Sequence, residues 1–295
     1  MNMDNIITII ADSGATKTEW AIVAKNVCNI VETQGINPAQ MNTSDIEYIV
    51  NKEFLPQLYQ TIPNDGATSH NAIDCFFYGA GCSPERADDV RKILDNNING
   101  ITNIVVQTDM VGAAKAIAGD QPAIVCILGT GANSCLYDGK YIVKNVPPLG
   151  FILGDEGSGA YIGKRLLTDA IKQQLSENTR LLFQQEFKLN TEEVINKVYK
   201  EKNPNRFLAS LSTFCAKYRH LEDIHKLLID SFSQFFIRNV ALYQRPQLNV
   251  NFVGSIAFVY QNELEEAAKI NGFKIGKIIQ KPIQGLVDYH KTHRI

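Results

Sequence analysis

The sequence predicts an α/β protein made of two related halves, each with its own β-sheet. Three observations predict it. Short β-rich runs alternate with helix-like stretches through the first part of the chain. The alternation restarts at Ala123. A strand, glycine turn and return strand beginning at Ile9 is echoed by a second one beginning at Ile127. Two such turns, each opening a β-rich segment, predict a duplicated domain whose halves face each other across a central cleft.

The elements follow in order. Ile6 to Ala11, Trp20 to Ala24 and Val27 to Val31 read as strands, the last two joined by the turn-prone Lys25-Asn26. Ser44 to Gln60 reads as a helix that Pro56 must kink or end. Asp74 to Tyr78 is a buried strand, and Ser83-Pro84-Glu85 opens a helix in which Ser can cap and Pro suits the first helical position. Asn103 to Gln107 leads into a helix from Met110 to Ala118. In the second half, Ala123 to Leu128 and Ala132 to Tyr137 are strands, and Asp138-Gly139 signals a hairpin before Tyr141 to Val143. Ser158 to Tyr243 reads as helical, with Leu227, Leu228, Phe232, Phe235, Phe236 and Val240 at core spacing. A last α/β unit runs through Val250 to Val253 and ends in a helix near Gln284 to Lys291.

Composition bounds the function. The chain has 295 residues, 45% of them apolar, and a formal net charge of −2. That length allows two domains with substantial cores. The near-neutral charge gives no electrostatic reason to expect a nucleic acid or an anionic membrane as partner. No apolar run approaches the roughly 20 residues that span a bilayer. Met1 to Asn5 carries no basic region ahead of a short apolar stretch, so no export signal is expected and the expected location is cytoplasmic. Six scattered cysteines without a Cys-x-x-Cys pair read as reduced, buried thiols.

The glycine turns point to phosphate chemistry. Backbone N–H groups must approach a phosphate closely, and Gly14 and Gly131 permit that approach. Thr16 and Thr130 add hydroxyl donors, and Lys17 adds a cation. The alternative is that both are plain hairpin turns. The chain has neither a P-loop nor a Gly-x-Gly-x-x-Gly fingerprint after a strand. Asp12 ends the first apolar strand at the turn; beside a phosphate it fits a Mg²⁺ ion held through water, or else it bonds its own turn. Asp109 ends another strand, where Thr108 can orient it and Gly112-Ala113-Ala114 lets the next helix pack closely; a helix cap is the other reading. Gly150 to Gly163 sets Asp155 and Glu156 among five glycines, which suits a loop around a hydroxyl-rich ligand or an acidic helix start.

These motifs resemble a known family. Asp12 to Thr18 is similar to the first phosphate motif of the actin, sugar-kinase and heat-shock-chaperone ATPase superfamily. Leu128 to Ser134 is similar to its second, and Val253-Gly254-Ser255-Ile256 to its adenosine motif. Thr108-Asp109 with Gly112-Ala113-Ala114, and Leu153 to Ser158, resemble N-acetylglucosamine kinase and its bacterial relatives. That group is akin to the ATPases that activate 2-hydroxyacyl-CoA dehydratases and benzoyl-CoA reductases.

The resemblance implies a two-lobed actin-like ATPase (ribonuclease H-like) fold. Its lobes would be residues 1–118 and 119–283, with a helical insertion at 158–243 and the C-terminal helix, 284–295, packing back on the first lobe. It implies ATP and Mg²⁺ as cofactors, a small sugar as substrate, and a homodimer. Gly14, Thr16, Lys17, Thr130 and Gly131 would contact ATP phosphates, and Gly254 and Ser255 would border adenosine. Asp12 would serve the metal and also border the ATP. Asn37, Thr130, Gly150, Asp155 and Glu156 would bind sugar, and Asp109 would be the catalytic base that accepts the proton of the N-acetylglucosamine 6-hydroxyl as ATP phosphorylates it. Two departures stand out. Pro147-Pro148-Leu149-Gly150 replaces the family's Gly-Gly-Trp-Gly, and Ser13 and Ala15 stand where glycine is favoured. An activator ATPase of a partner reductase and an inactive sugar-binding regulator are the alternatives. No Gly-flanked cysteine pair favours the activator.

Overall fold

The computed structural model describes residues 6–24, 27–62 and 72–293. The turn expected at Lys25-Asn26 and residues 1–5 lie outside the described residues. The chain divides into two compact units, Met1–Gly119 with Pro282–Ile295, and Asp120–Lys281.

The first unit is built on β1 (Ile7–Ser13), β2 (Lys17–Ala24), β3 (Val27–Gln34), β4 (Ile73–Gly79) and β5 (Ile101–Thr108), in the order β3-β2-β1-β4-β5. β1 is antiparallel to β2 and parallel to β4, and β4 is parallel to β5. Both faces of its inner strands β1 and β4 are covered, so those two are almost continuously apolar, whereas the edge strand β3 is largely exposed. On one face Ile9, Trp20, Phe77 and Val106 pack with Phe54 and Leu94. On the other, Ile10, Ala21, Phe76 and Tyr78 pack with Ile283, Leu286 and Val287. Trp20 stacks on Phe54 at 4.0 Å and donates its indole N–H to Thr33. A fully buried aromatic of this kind contributes about 3 kcal/mol.

The second unit repeats the plan. β6 (Ala123–Leu128), β7 (Ala132–Tyr137), β8 (Ile142–Asn145), β9 (Val250–Val253) and β10 (Ile275–Ile279) lie in the order β8-β7-β6-β9-β10. β6 is antiparallel to β7 and parallel to β9, which is parallel to β10. Strand for strand, order and direction match the first sheet, so the echo of the two glycine turns reflects a duplicated topology. Five longer helices between Gly159 and Arg238 build a core in which Phe214, Phe232, Phe235 and Phe236 pack with Phe252 of β9.

Some elements differ from the sequence expectation. The 44–60 stretch does not end at Pro56 but changes its helical winding before it. It runs as helix Thr43–Tyr48, a π-helical segment Ile49–Phe54, and helix Leu55–Thr61. Pro56 falls in the first turn of the last piece, where its missing N–H costs little. Ser83 precedes helix Pro84–Asn97 without capping it through its side chain. Its hydroxyl is instead engaged with Glu85, whose carboxyl it draws down. Cys28 is exposed on β3, while the other five cysteines are free and buried. No helix among the described residues is long and apolar enough to cross a membrane.

Candidate active site

In the first unit, parallel pairing puts the carboxyl ends of β1, β4 and β5 on one edge of the sheet, where α/β proteins commonly bind ligands. The turn after β1 is closed by Gly14 N–H donating to the Lys17 carbonyl at 3.0 Å. Gly35 N–H donates to the Thr16 carbonyl at 3.1 Å, which draws the chain after β3 under this turn. Ser13 explains its own departure from glycine. Its buried hydroxyl lies 2.6 Å from the Thr18 hydroxyl and 2.9 Å from the Ile36 carbonyl and amide. It thereby fixes the segment that carries Asn37.

Asn37 is buried, and its Oδ1 accepts from Ala39 N–H at 2.9 Å. The turn after β4 meets it there. Gly81 has φ +76°, and a Cβ at that position would lie 2.1 Å from Asn37 Oδ1. Ala80 N–H donates to the Ser13 carbonyl at 2.8 Å, tying this turn to β1. Burial first, and then the Asp109 charge, push the Cys82 thiol up to about 12. The Gly79–Ser83 turn therefore borders Asp109 as well. Sequence reasoning missed it, although Gly79-Ala80-Gly81 after a buried strand was a legible signal.

Asp109 opens helix Asp109–Ala118, and the cap is Thr108, whose hydroxyl accepts from Val111 N–H at 3.4 Å. The cap reading of Asp109 therefore falls away. Its carboxylate accepts from Met110 N–H at 2.8 Å, and Gly112 behind it packs on Tyr78. Burial raises the Asp109 carboxyl to about 6, against two backbone hydrogen bonds that lower it. Asp12 is raised to about 7 by burial, then by the charges of Asp109 and Glu19, with Lys17 opposing. Both carboxyls lie at the same edge of the sheet, with β4 between their strands.

Lys17 is engaged elsewhere. Its Nζ donates to Glu32 at 2.9 Å and to the buried Glu19 at 3.3 Å. Register explains this arrangement, because Glu19 pairs with Asp12 on β1 and with Glu32 on β3. A row of three acids crosses the strands there with Lys17 beside it.

In the second unit three motifs converge. Gly159 N–H donates to the Gly129 carbonyl at 2.9 Å, and Ala160 N–H to the Thr130 carbonyl at 3.1 Å. The start of helix Gly159–Ile171 is thereby fastened to the second glycine turn. Ser158 is its cap, so Asp155 and Glu156 lie in the loop before it and are not a helix start. Asp155 has φ +57°, a left-handed backbone rare for a residue with a side chain. Its carboxylate accepts from the Ala132 amide and sits against Gly131, where a Cβ would come within 3.0 Å of Oδ2. Burial raises its carboxyl, Glu156 adds to this, and Lys164 opposes it.

Glu156 is buried and committed to Arg238 Nε at 2.6 Å, with Asn239 Nδ2 at 3.4 Å from its other oxygen. Gly254 has φ +125° and would clash with the Leu128 carbonyl if it bore a side chain. This sets residues 253–256 beside the second glycine turn. Ser255 is exposed at the start of helix Ser255–Val259. Gly150 opens the four-residue helix Gly150–Leu153 and accepts from Gly154 N–H at 2.8 Å. Arg238 and Asn239 carry no sequence signal of a site, since they end an amphipathic helix.

No protein-family model matches the chain, and no curated protein does. Solved structures do. A Porphyromonas gingivalis protein provisionally named an N-acetylglucosamine kinase is 39% identical over 98% of this chain and 100% of its own, with a TM-score of 0.89. A Chromobacterium violaceum protein with the same provisional name is 18% identical over 96% of this chain and 98% of its own, at TM-score 0.73. A ROK hexokinase from Thermus thermophilus is 13% identical over 96% of this chain and 98% of its own, at TM-score 0.52. The first likeness is one of sequence and fold along the whole chain; the other two are likenesses of fold.

Proposed function

The chain belongs to the N-acetylglucosamine kinase-like family and has its two-lobed actin-like ATPase fold, and from that premise we propose that it phosphorylates an amino sugar with ATP. N-acetylglucosamine is the leading substrate and the 6-hydroxyl the acceptor. The observation that carries this reading is Asp109. It is a carboxylate at the carboxyl end of β5, on the sheet edge that also carries Asp12, with its carboxyl raised to about 6 by burial. General bases that work near neutrality are tuned into this range.

Phosphoryl transfer depends mainly on alignment and on neutralising charge. In this proposal Asp109 orients the attacking hydroxyl and accepts its proton as the bond to phosphorus forms. Asn37, Thr130, Gly150 and Asp155 hold the sugar, with Glu156 acting through the loop it anchors. Gly14, Thr16, Thr130 and Gly131 supply donors to the phosphates, while Lys17 stays paired with Glu19 and Glu32. Gly254 and Ser255 border the adenosine.

The donor set also fits a cation at Asp12. The charges of Asp109 and Glu19 both act against ionisation of Asp12, and Lys17 is shared with Glu32. Among the described residues no three acidic, His or Cys side chains are grouped to ligate a metal directly. The fitting ion is therefore one held chiefly by water and nucleotide, such as Mg²⁺, which would supply neutralising charge at the phosphates.

A coupled ADP-release assay with Mg²⁺ across amino sugars and hexoses tests the proposal. Stimulation by N-acetylglucosamine or a near relative is expected. ATP hydrolysis indifferent to every sugar would favour an activator ATPase instead.

A further inference from the structure

Beside Asp155 lies a cavity of about 80 Å³, enough for several water-sized groups. Pro147, Pro148, Leu149 and Leu153 give it an apolar side, and Asp155, Glu156, Arg238 and Asn239 give it a polar one, in which Arg238 and Asn239 are the hydrogen-bond donors. Its apolar side includes the segment in which the family's aromatic residue is replaced.

Arg238 is the unusual member. Its Nε is 2.6 Å from Glu156, whose side chain is 11% exposed, yet the Arg238 side chain remains 58% exposed. The ion pair uses the inner edge of the guanidinium. The two terminal amino groups remain, and they are donors only. Because Glu156 compensates the charge, the pair offers strong hydrogen-bond donors without net positive charge. Such a group favours a neutral oxygen acceptor over an anion. Combined with the prolines and leucines, the pocket suits a substituent with a carbonyl oxygen and a small apolar end.

Resting on the kinase reading, we propose that Arg238 is a specificity-determining residue that donates to the carbonyl oxygen of an uncharged acyl substituent on the sugar. Glu156 positions it and makes no sugar contact of its own. A bare hydroxyl reaches this pocket poorly and gains less from it.

The test compares wild type, Arg238→Met and Arg238→Lys on N-acetylglucosamine, glucosamine and glucose. It measures kcat/KM, or a calorimetric Kd where a sugar binds without turnover. Wild type should prefer the acylated sugar. In both variants the ratio of N-acetylglucosamine to glucose should fall about tenfold or more, the loss expected for a charge-assisted hydrogen bond. Lysine restores a cation opposite Glu156 but not the paired amino groups, so a merely structural role would be rescued by Arg238→Lys. Full rescue by lysine, or equal loss for every sugar, would overturn the proposal. Should wild type phosphorylate no sugar, the kinase reading itself fails. Calorimetry then decides Arg238 alone: weaker N-acetylglucosamine binding in both variants upholds its role, and equal or absent binding overturns it.

Discussion

Asp109→Asn separates catalysis from folding, and its two effects should run in opposite directions. Burial raises the Asp109 carboxyl from 3.8 to about 6. Each pH unit of such a shift is worth about 1.4 kcal/mol, so holding the carboxylate ionised costs the folded state about 3 kcal/mol at pH 7. The sign follows from the folded value lying above the unfolded one. The penalty is absent below pH 3.8, grows as the pH rises to about 6, and is complete above it. Asparagine is nearly isosteric and keeps an oxygen for the Met110 amide, but it carries no charge to desolvate. Urea unfolding at pH 7 should therefore show the variant at least as stable as wild type, by up to about 3 kcal/mol. Sugar-dependent ADP release should meanwhile fall about 10²- to 10⁴-fold, the usual contribution of a general base, with little change in KM for ATP. Near wild-type turnover would refute the assignment of the base. A loss of several kcal/mol in stability would refute the electrostatic account of its burial.

Other consequences can be measured in the same assays. The acid limb of kcat/KM for the sugar should lie near pH 6, because protonated Asp109 cannot accept the hydroxyl proton; a limb near pH 4 would contradict the burial shift. Gly81→Ala forces a side chain onto Asn37 Oδ1 at φ +76°. It should cost about 1–3 kcal/mol in thermal or urea unfolding and raise KM for the sugar more than KM for ATP. Ser13→Ala removes the hydroxyl that holds Ile36 and Thr18, and should cost about 1–2 kcal/mol in urea unfolding.

Much of the fold was legible because its inner strands are buried on both faces. That burial makes β1, β4 and β6 read as near-continuous apolar runs, and the two glycine turns mark where the plan repeats. β10 was not legible. It is short, and its Gly276 and Lys277 are exposed, so no apolar pattern announces it. The acids at Asp12, Asp109 and Asp155 stood out by their positions at strand ends and among glycines. Their partners did not. Lys17 reads as a phosphate cation until the β2–β3 register brings Glu32 to its ammonium. Glu156 reads as a sugar ligand until the end of a distant helix delivers Arg238. Pairings of this kind depend on tertiary register, which spacing along the chain does not encode.

The most direct measurement follows the phosphoryl group itself. The protein is incubated with ATP labelled at the γ-phosphate, Mg²⁺ and N-acetylglucosamine, and the products are separated. Label on the sugar's 6-hydroxyl, lost in Asp109→Asn, is the predicted result. Label found only in inorganic phosphate, in the same amount with and without sugar, would contradict it.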